Sequence, residues 1–199
     1  VTIHAPMSIP DSAVYEFWPE NFKTSIVCHS LQVNNSHFHS STALSSLSAG
    51  ISTAEIDSSH FAGLELFGSQ VIGATHSQFS HSNSNGITAH DQLTCSLTGC
   101  TIEENIEDGI RLNGNQCNLN IQYCFLRSNG ENGVKIGQQS SLNISNSLIS
   151  SNGTNGIFSY GSIQADYCTI VYNGTKGTSS SDFSTINNSI IWFNGGVPQ

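Results

Sequence analysis

A six-residue frame recurs eight times along this chain of 199 residues. Ile144-Ser-Asn-Ser-Leu-Ile149 closely matches Ile186-Asn-Asn-Ser-Ile-Ile191, and the same frame opens at Val33, Ile56, Ala74, Leu97, Ile121 and Ala165. Successive frames start 23, 18, 23, 24, 23, 21 and 21 residues apart. A unit this short cannot bury an apolar face alone. It must stack on its neighbours, so the period predicts a solenoid before any element is assigned.

Each frame position keeps its character. The sixth is large and apolar throughout: Phe38, Phe61, Phe79, Ile102, Leu126, Ile149, Ile170 and Ile191. The fourth is always Ser or Cys. Leu142 and Ile144 alternate with polar residues as on a strand with one buried face. The odd step from Ile144 to Ile149 then demands a corner between them. Three residues beyond the sixth position comes Asn, at Asn105, Asn129, Asn152, Asn173 and Asn194. Soon afterwards Gly precedes an apolar residue, as in Gly109-Ile110 and Gly133-Val134. Each coil thus reads as strand, tight corner, strand, Asn turn, Gly, strand and variable loop. The Asn amides are expected to bond from coil to coil, and Gly to supply backbone freedom in the turn.

Three short strands per period with no helical segment cannot pair locally, so each must pair with its copy in the next coil, in parallel. The expected fold is all-β: a right-handed, single-stranded parallel β-helix of about eight coils of 18–24 residues, spanning 26–199. Residues 1–25, with Pro6, Pro10, Trp18 and Pro19, read as an N-terminal cap or partial coil. The chain opens at Val1 without a signal-like segment and stops mid-coil after Asn194, as a mature or excised piece of a longer protein would.

Five Lys plus Arg stand against 14 Asp plus Glu, a net charge of −9. That field repels polyanions, so nucleic acid is not an expected partner, and no apolar run is long enough for membrane insertion. The six cysteines occupy core and corner positions rather than a disulfide framework. Cys100 and Cys124 fall one coil apart, within the Cα range of a disulfide, whereas Cys168 is two coils further on. No phosphate-cradling glycine loop opens a helix, so no nucleotide or organic cofactor is expected.

Four groups of residues carry candidate chemistry. His37 and His39 flank inward Phe38, and His60 follows one coil later; three imidazoles so placed suit a metal ion, the alternative being a solvated polar face. Acids gather near one corner, where Glu104, Asp108 and Glu131 could hold calcium, or form a surface softened by Arg127 beside Glu103. Arg111 and Lys135 each stand two residues after a Gly, hence one above the other, with Glu65 two coils earlier. Phe125, Leu148 and Ile190, then Val171 and Trp192, followed by Tyr172 and Phe193, make an outward apolar stripe. It suits a partner surface or a glycan-stacking platform, with Phe125, Tyr172, Trp192 and Phe193 as its aromatic members.

The pattern I-x-N-S-x-I-x-x-N-x-x-x-G-I resembles the parallel β-helix repeat of the pectin-lyase-like superfamily, over roughly residues 26–196. The resemblance implies a secreted or cell-surface setting and a polysaccharide or surface protein as partner. In that superfamily Arg or Lys often takes the proton beside a uronate carboxylate or neutralises it, which marks Arg111, Lys135 and Glu65 as the catalytic-looking line. The sharper signatures of pectate lyases, polygalacturonases and alginate epimerases are absent. Short coils and scarce charge favour a non-catalytic surface module: an adhesin, a scaffold or a glycan-binding stalk. The alternative is a polysaccharide lyase or glycoside hydrolase.

Overall fold

The computed structural model describes residues 52–67, 70–90 and 92–195 and, before these, the strand backbones; side chains are described for 55–66, 71–90 and 92–195. Three parallel sheets of nine strands each wrap one core, and consecutive strands in each sheet come from successive coils. Sheet 1 runs from Thr2–His4 to Lys176–Ser180, sheet 2 from Met7–Ile9 to Ser184–Asn187, and sheet 3 from Val14–Tyr15 to Ile190–Trp192. The strands Thr2–His4, Met7–Ile9 and Val14–Tyr15 pair in register with Thr24–Val27, Ser30–Asn34 and His37–Phe38, so the chain ahead of residue 26 contributes a rung. There is no helix among the described residues.

The register follows the sequence frame. Ile121 pairs with Ile144, and Ile144 with Ala165; Leu126 pairs with Ile149, and Ile149 with Ile170. Alternation then sends every second side chain inward. Phe61, Phe79, Ile102, Leu126, Ile149 and Ile170 form one fully buried column, in which the Phe61 and Phe79 rings stack 5.6 Å apart. Ile191 is partly buried against the same core.

The corners are made by side-chain-bearing residues in the left-handed region. Between sheets 2 and 3 these are Ser58, His76, Tyr123, Asn146, Tyr167 and Asn188, with φ between 47° and 55°, and Gly99 takes the same place on its rung at 63°. Between sheets 3 and 1 they are His81, Glu104, Ser128, Ser151, Tyr172 and Phe193, at 55–59°. A non-glycine residue there costs about 1–2 kcal/mol. The conformation persists because corner N–H groups donate to carbonyls of the next coil, as Tyr123 does to Ser145 (3.2 Å) and Ser128 to Ser150 (3.2 Å).

The glycines correct one expectation. Gly86, Gly109, Gly133 and Gly156 do not have the positive φ that backbone freedom would explain; among the described glycines only Gly63, Gly99 and Gly195 do. Their reason is close approach. A Cβ on Gly133 would lie 2.7 Å from the Gly156 carbonyl oxygen and 2.8 Å from Ile149 Cγ2, and the neighbouring rungs repeat the first contact at 2.6–2.7 Å.

Polar side chains tie rung to rung. In the Asn ladder, Nδ2 of Asn105, Asn129, Asn152 and Asn173 donates to Oδ1 of the next Asn at 2.8–2.9 Å, ending on Asn194. The same Oδ1 accepts the backbone N–H of the rung before. The small corner residues form a second ladder: Ser77 Oγ accepts the Ser59 N–H (3.0 Å), and Ser147 Oγ accepts that of Cys124 (3.1 Å).

Candidate functional site

The outer face of sheet 1 carries Glu65, Arg111, Lys135 and Phe158. Inward Leu64, Ile87, Ile110, Val134 and Ile157 fix the residue after each as outward. Register then aligns Glu65, Thr88, Arg111, Lys135 and Phe158 on one line, a rung apart. The expected juxtaposition of Arg111 and Lys135 is present in the backbone register. Glu65 stands two rungs from Arg111, about 10 Å at the spacing of paired strands.

Each cation on this line has protein partners. Arg111 Nε donates to Asn113 Oδ1 (2.8 Å), and its Nη1 lies 3.6 Å from Asp108 Oδ2. The Lys135 ammonium sits 6.0 Å from the centroid of the Phe158 ring, a favourable cation–aromatic placement. Phe158 in turn meets Tyr160 edge to face, with centroids 5.0 Å apart. His90 follows Ala89, which pairs with Leu112, so His90 stands beside Asn113 on the neighbouring outward line. Phe158, Tyr160 and His90 were not picked out by sequence. Phe158 had a readable signal, since it stands two residues after Gly156 as Arg111 and Lys135 do after their own glycines.

The expected stacking of His37 on His60 is present in the backbone of sheet 3. Only the backbone of His37 is described, and His39 lies outside the described residues. His60 Nε2 reaches Ser80 Oγ (2.8 Å), which also contacts His81 Nδ1 (2.9 Å), while His81 Nε2 reaches Glu104 (2.8 Å). Ser80 at the centre of this chain is fully buried. On the corner before, the Thr75 hydroxyl donates to Asp57, with His76 3.4 Å away; the Thr75 bond first, then His76, holds the Asp57 carboxyl below its usual range.

Of the acids proposed for calcium, Glu104 and Asp108 face separate partners. Glu104 pairs with His81, Glu103 with Arg127 (2.7 Å), and Asp108 is fully buried beneath Arg111. Among the described residues no three His, Cys, Asp or Glu are gathered as a metal site requires.

The aromatic stripe runs along the later rungs of sheet 3 and the corner beside it. Phe125 pairs with Leu148, and Val171 with Trp192. Phe193 touches both Tyr172 and Trp192, with centroids 5.8 and 5.9 Å apart. Phe125, Tyr172, Trp192 and Phe193 are all exposed. The five described cysteines are free thiols, all buried. Burial pushes the Cys95 thiol from an ordinary 9.0 up to about 12, and the Cys124 sulfur together with burial raises Cys100.

Residues 24–166 match the model of the right-handed β-helix region. The chain belongs to that family. It superposes on a periplasmic alginate epimerase, AlgG, with a TM-score of 0.62 at 11% identity, over 84% of this chain and 48% of that one. It superposes on the pectate lyase Pel9A with a TM-score of 0.56 at 14% identity, over 100% of this chain and 72% of that one. Likeness at this identity shows the shared β-helix of the pectin-lyase-like fold. The chain spans about half the length of the epimerase. No curated protein matches the sequence.

Proposed function

We propose that this β-helix is an extracellular or periplasmic carbohydrate-active module that holds an acidic polysaccharide along the outer face of sheet 1. The observation that carries the reading is the column Arg111–Lys135–Phe158, three successive rungs presenting two cations and an aromatic face. Adjacent rungs lie about 4.8 Å apart, so both cations can serve one carboxylate-bearing sugar while the next ring stacks on Phe158 and Tyr160. Such neutralisation also lowers the barrier to removing the proton beside a uronate carboxylate, with His90 and Glu65 as the titratable groups on the same face. The fold neighbours that act on alginate and pectate support this substrate class. The whole-chain charge of −9 opposes the approach of a polyanion, so the local pair has to outweigh it.

The contiguous Tyr172, Phe193 and Trp192 rings support a second reading, a neutral glycan or partner protein docked on sheet 3. One set of variants separates the two. Binding of polygalacturonate and polymannuronate is followed by calorimetry, and unsaturated products by ultraviolet absorbance. The Arg111→Ala/Lys135→Ala protein should lose uronate binding by at least tenfold, with Trp192→Ala unchanged. Loss in Trp192→Ala alone transfers the site to sheet 3. Binding that survives both changes refutes both assignments and returns the chain to a structural or adhesive role.

A further inference from the structure

A buried carboxylate occupies a ladder position that holds an amide on the other rungs around it. The residues immediately before four of the column glycines, Asn85, Asp108, Asn132 and Asn155, stack over one another. Asn85 Oδ1 accepts the Asp108 N–H (3.0 Å). Asp108 Oδ1 accepts both the N–H (3.0 Å) and Nδ2 (2.7 Å) of Asn132. Asn132 Oδ1 accepts the same two groups of Asn155, at 3.3 and 2.9 Å. An amide suits such a column because its oxygen serves one neighbour and its N–H the other. Asp108 performs only the accepting half. Its Oδ2 is fully buried and accepts no hydrogen bond, which an isosteric Asn would avoid.

The carboxylate offers one thing an amide cannot, a fixed negative charge, and Arg111 Nη1 lies 3.6 Å from Oδ2. With Asn113 Oδ1 on Nε, the guanidinium is held at two points. Its side chain keeps 32% exposure on the face of sheet 1. We infer that Asp108 is a positioning residue, placed in the ladder at the expense of stability to hold the Arg111 fork ready for a carboxylate ligand. A fork already fixed loses less freedom when a planar anion docks. This rests on the acidic-glycan reading of that face.

The decisive variant is Asp108→Asn. It restores the amide ladder and is expected to raise Tm by about 2–4 °C, the shift that a modest gain produces in a chain of this size. Arg111→Ala should lower Tm in the wild-type background, because it strands the buried charge, and leave it nearly unchanged in the Asp108→Asn background. In calorimetry with galacturonate and mannuronate oligomers, Asp108→Asn should weaken binding about threefold to tenfold. Simple charge counting predicts tighter binding, since the variant is less acidic. Equal or tighter binding, a lower Tm for Asp108→Asn, or equal Tm losses for Arg111→Ala in both backgrounds overturns the inference. A wild-type protein that binds neither oligomer removes the glycan reading, while the melting comparison still decides whether Asp108 holds Arg111.

Discussion

Replacing Asn152 by Ala tests the ladder where its connections are complete on both sides. The Asn152 side chain is 1% exposed. Its Nδ2 donates to Asn173 Oδ1 (2.9 Å) and Leu126 O (3.1 Å), and its Oδ1 accepts the Asn129 N–H (3.1 Å) and Asn129 Nδ2 (2.9 Å). After truncation some partners keep an alternative: Asn129 Nδ2 still reaches Ile102 O, and Asn173 Oδ1 still accepts the Asn152 N–H. The Asn129 N–H loses the side-chain oxygen it donates to. An unsatisfied buried donor costs about 1–3 kcal/mol, and each other lost bond about 0.5–1.5 kcal/mol net. The expected loss is therefore about 3–5 kcal/mol, and at about 2–4 °C per kcal/mol the Tm should fall by roughly 10 °C. Asn143→Ala is the matched control, because Asn143 is exposed and makes one side-chain bond, to Asn120 (3.2 Å). It should shift stability by less than about 0.5 kcal/mol. Thermal and denaturant unfolding of both variants measure the difference. Equal, small losses would refute the view that the ladder stabilises the turns.

Other perturbations probe the core and the thiols. Ile149→Ala, at a fully buried site, should cost about 2–5 kcal/mol through the cavity it leaves, read from the denaturant midpoint. Gly133→Ala should destabilise despite better backbone propensity, because its Cβ would meet the Gly156 carbonyl oxygen at 2.7 Å; a rise in Tm would contradict the close-approach account. Cys95 titrates at about 12 in the folded chain against an ordinary 9.0. The folded state therefore holds this proton more tightly, and its contribution is full below pH 9.0 and lost as pH rises towards about 12. Cys95→Ala should flatten the decline of Tm over that alkaline interval, and a decline of unchanged steepness would refute the assignment.

Period and residue type made the fold legible. Ile149, Ile170 and the Asn ladder recur at fixed offsets, and parallel stacking turns a fixed offset into contact. The line Glu65–Arg111–Lys135 was readable for the same reason, because the offset from Gly survives changes in coil length. Contacts that join unlike residues across rungs were not readable. The chain from His60 through Ser80 and His81 to Glu104 spans coils of 18 and 23 residues, and no repeated residue type announces it. The Asn85–Asp108–Asn132–Asn155 column did carry a signal, a short amide or acid before each Gly, and was overshadowed by the more regular ladder beside it. Glycine positions were legible while their cause was not, since a sequence does not show how near the next carbonyl lies.

The two amide columns point opposite ways. In the longer one the amide-to-amide bonds of Asn105, Asn129, Asn152 and Asn173 run from Nδ2 to the Oδ1 of the C-terminal rung; in the shorter one Asn155 and Asn132 donate toward the N-terminal rung. The connection between sheets 3 and 1 therefore carries two polar columns of opposite sense. A rung laid beyond Asn194 must present an acceptor to the first column, whose last amide meanwhile folds back on Trp192 O (3.1 Å). The rung before Asn105 meets the reverse requirement and supplies donors, as the Ser82 N–H does. Two like ends brought together would set donor against donor or acceptor against acceptor. Extension of such a helix, by added coils or by another molecule, is thereby vectorial: only head-to-tail order continues the pattern.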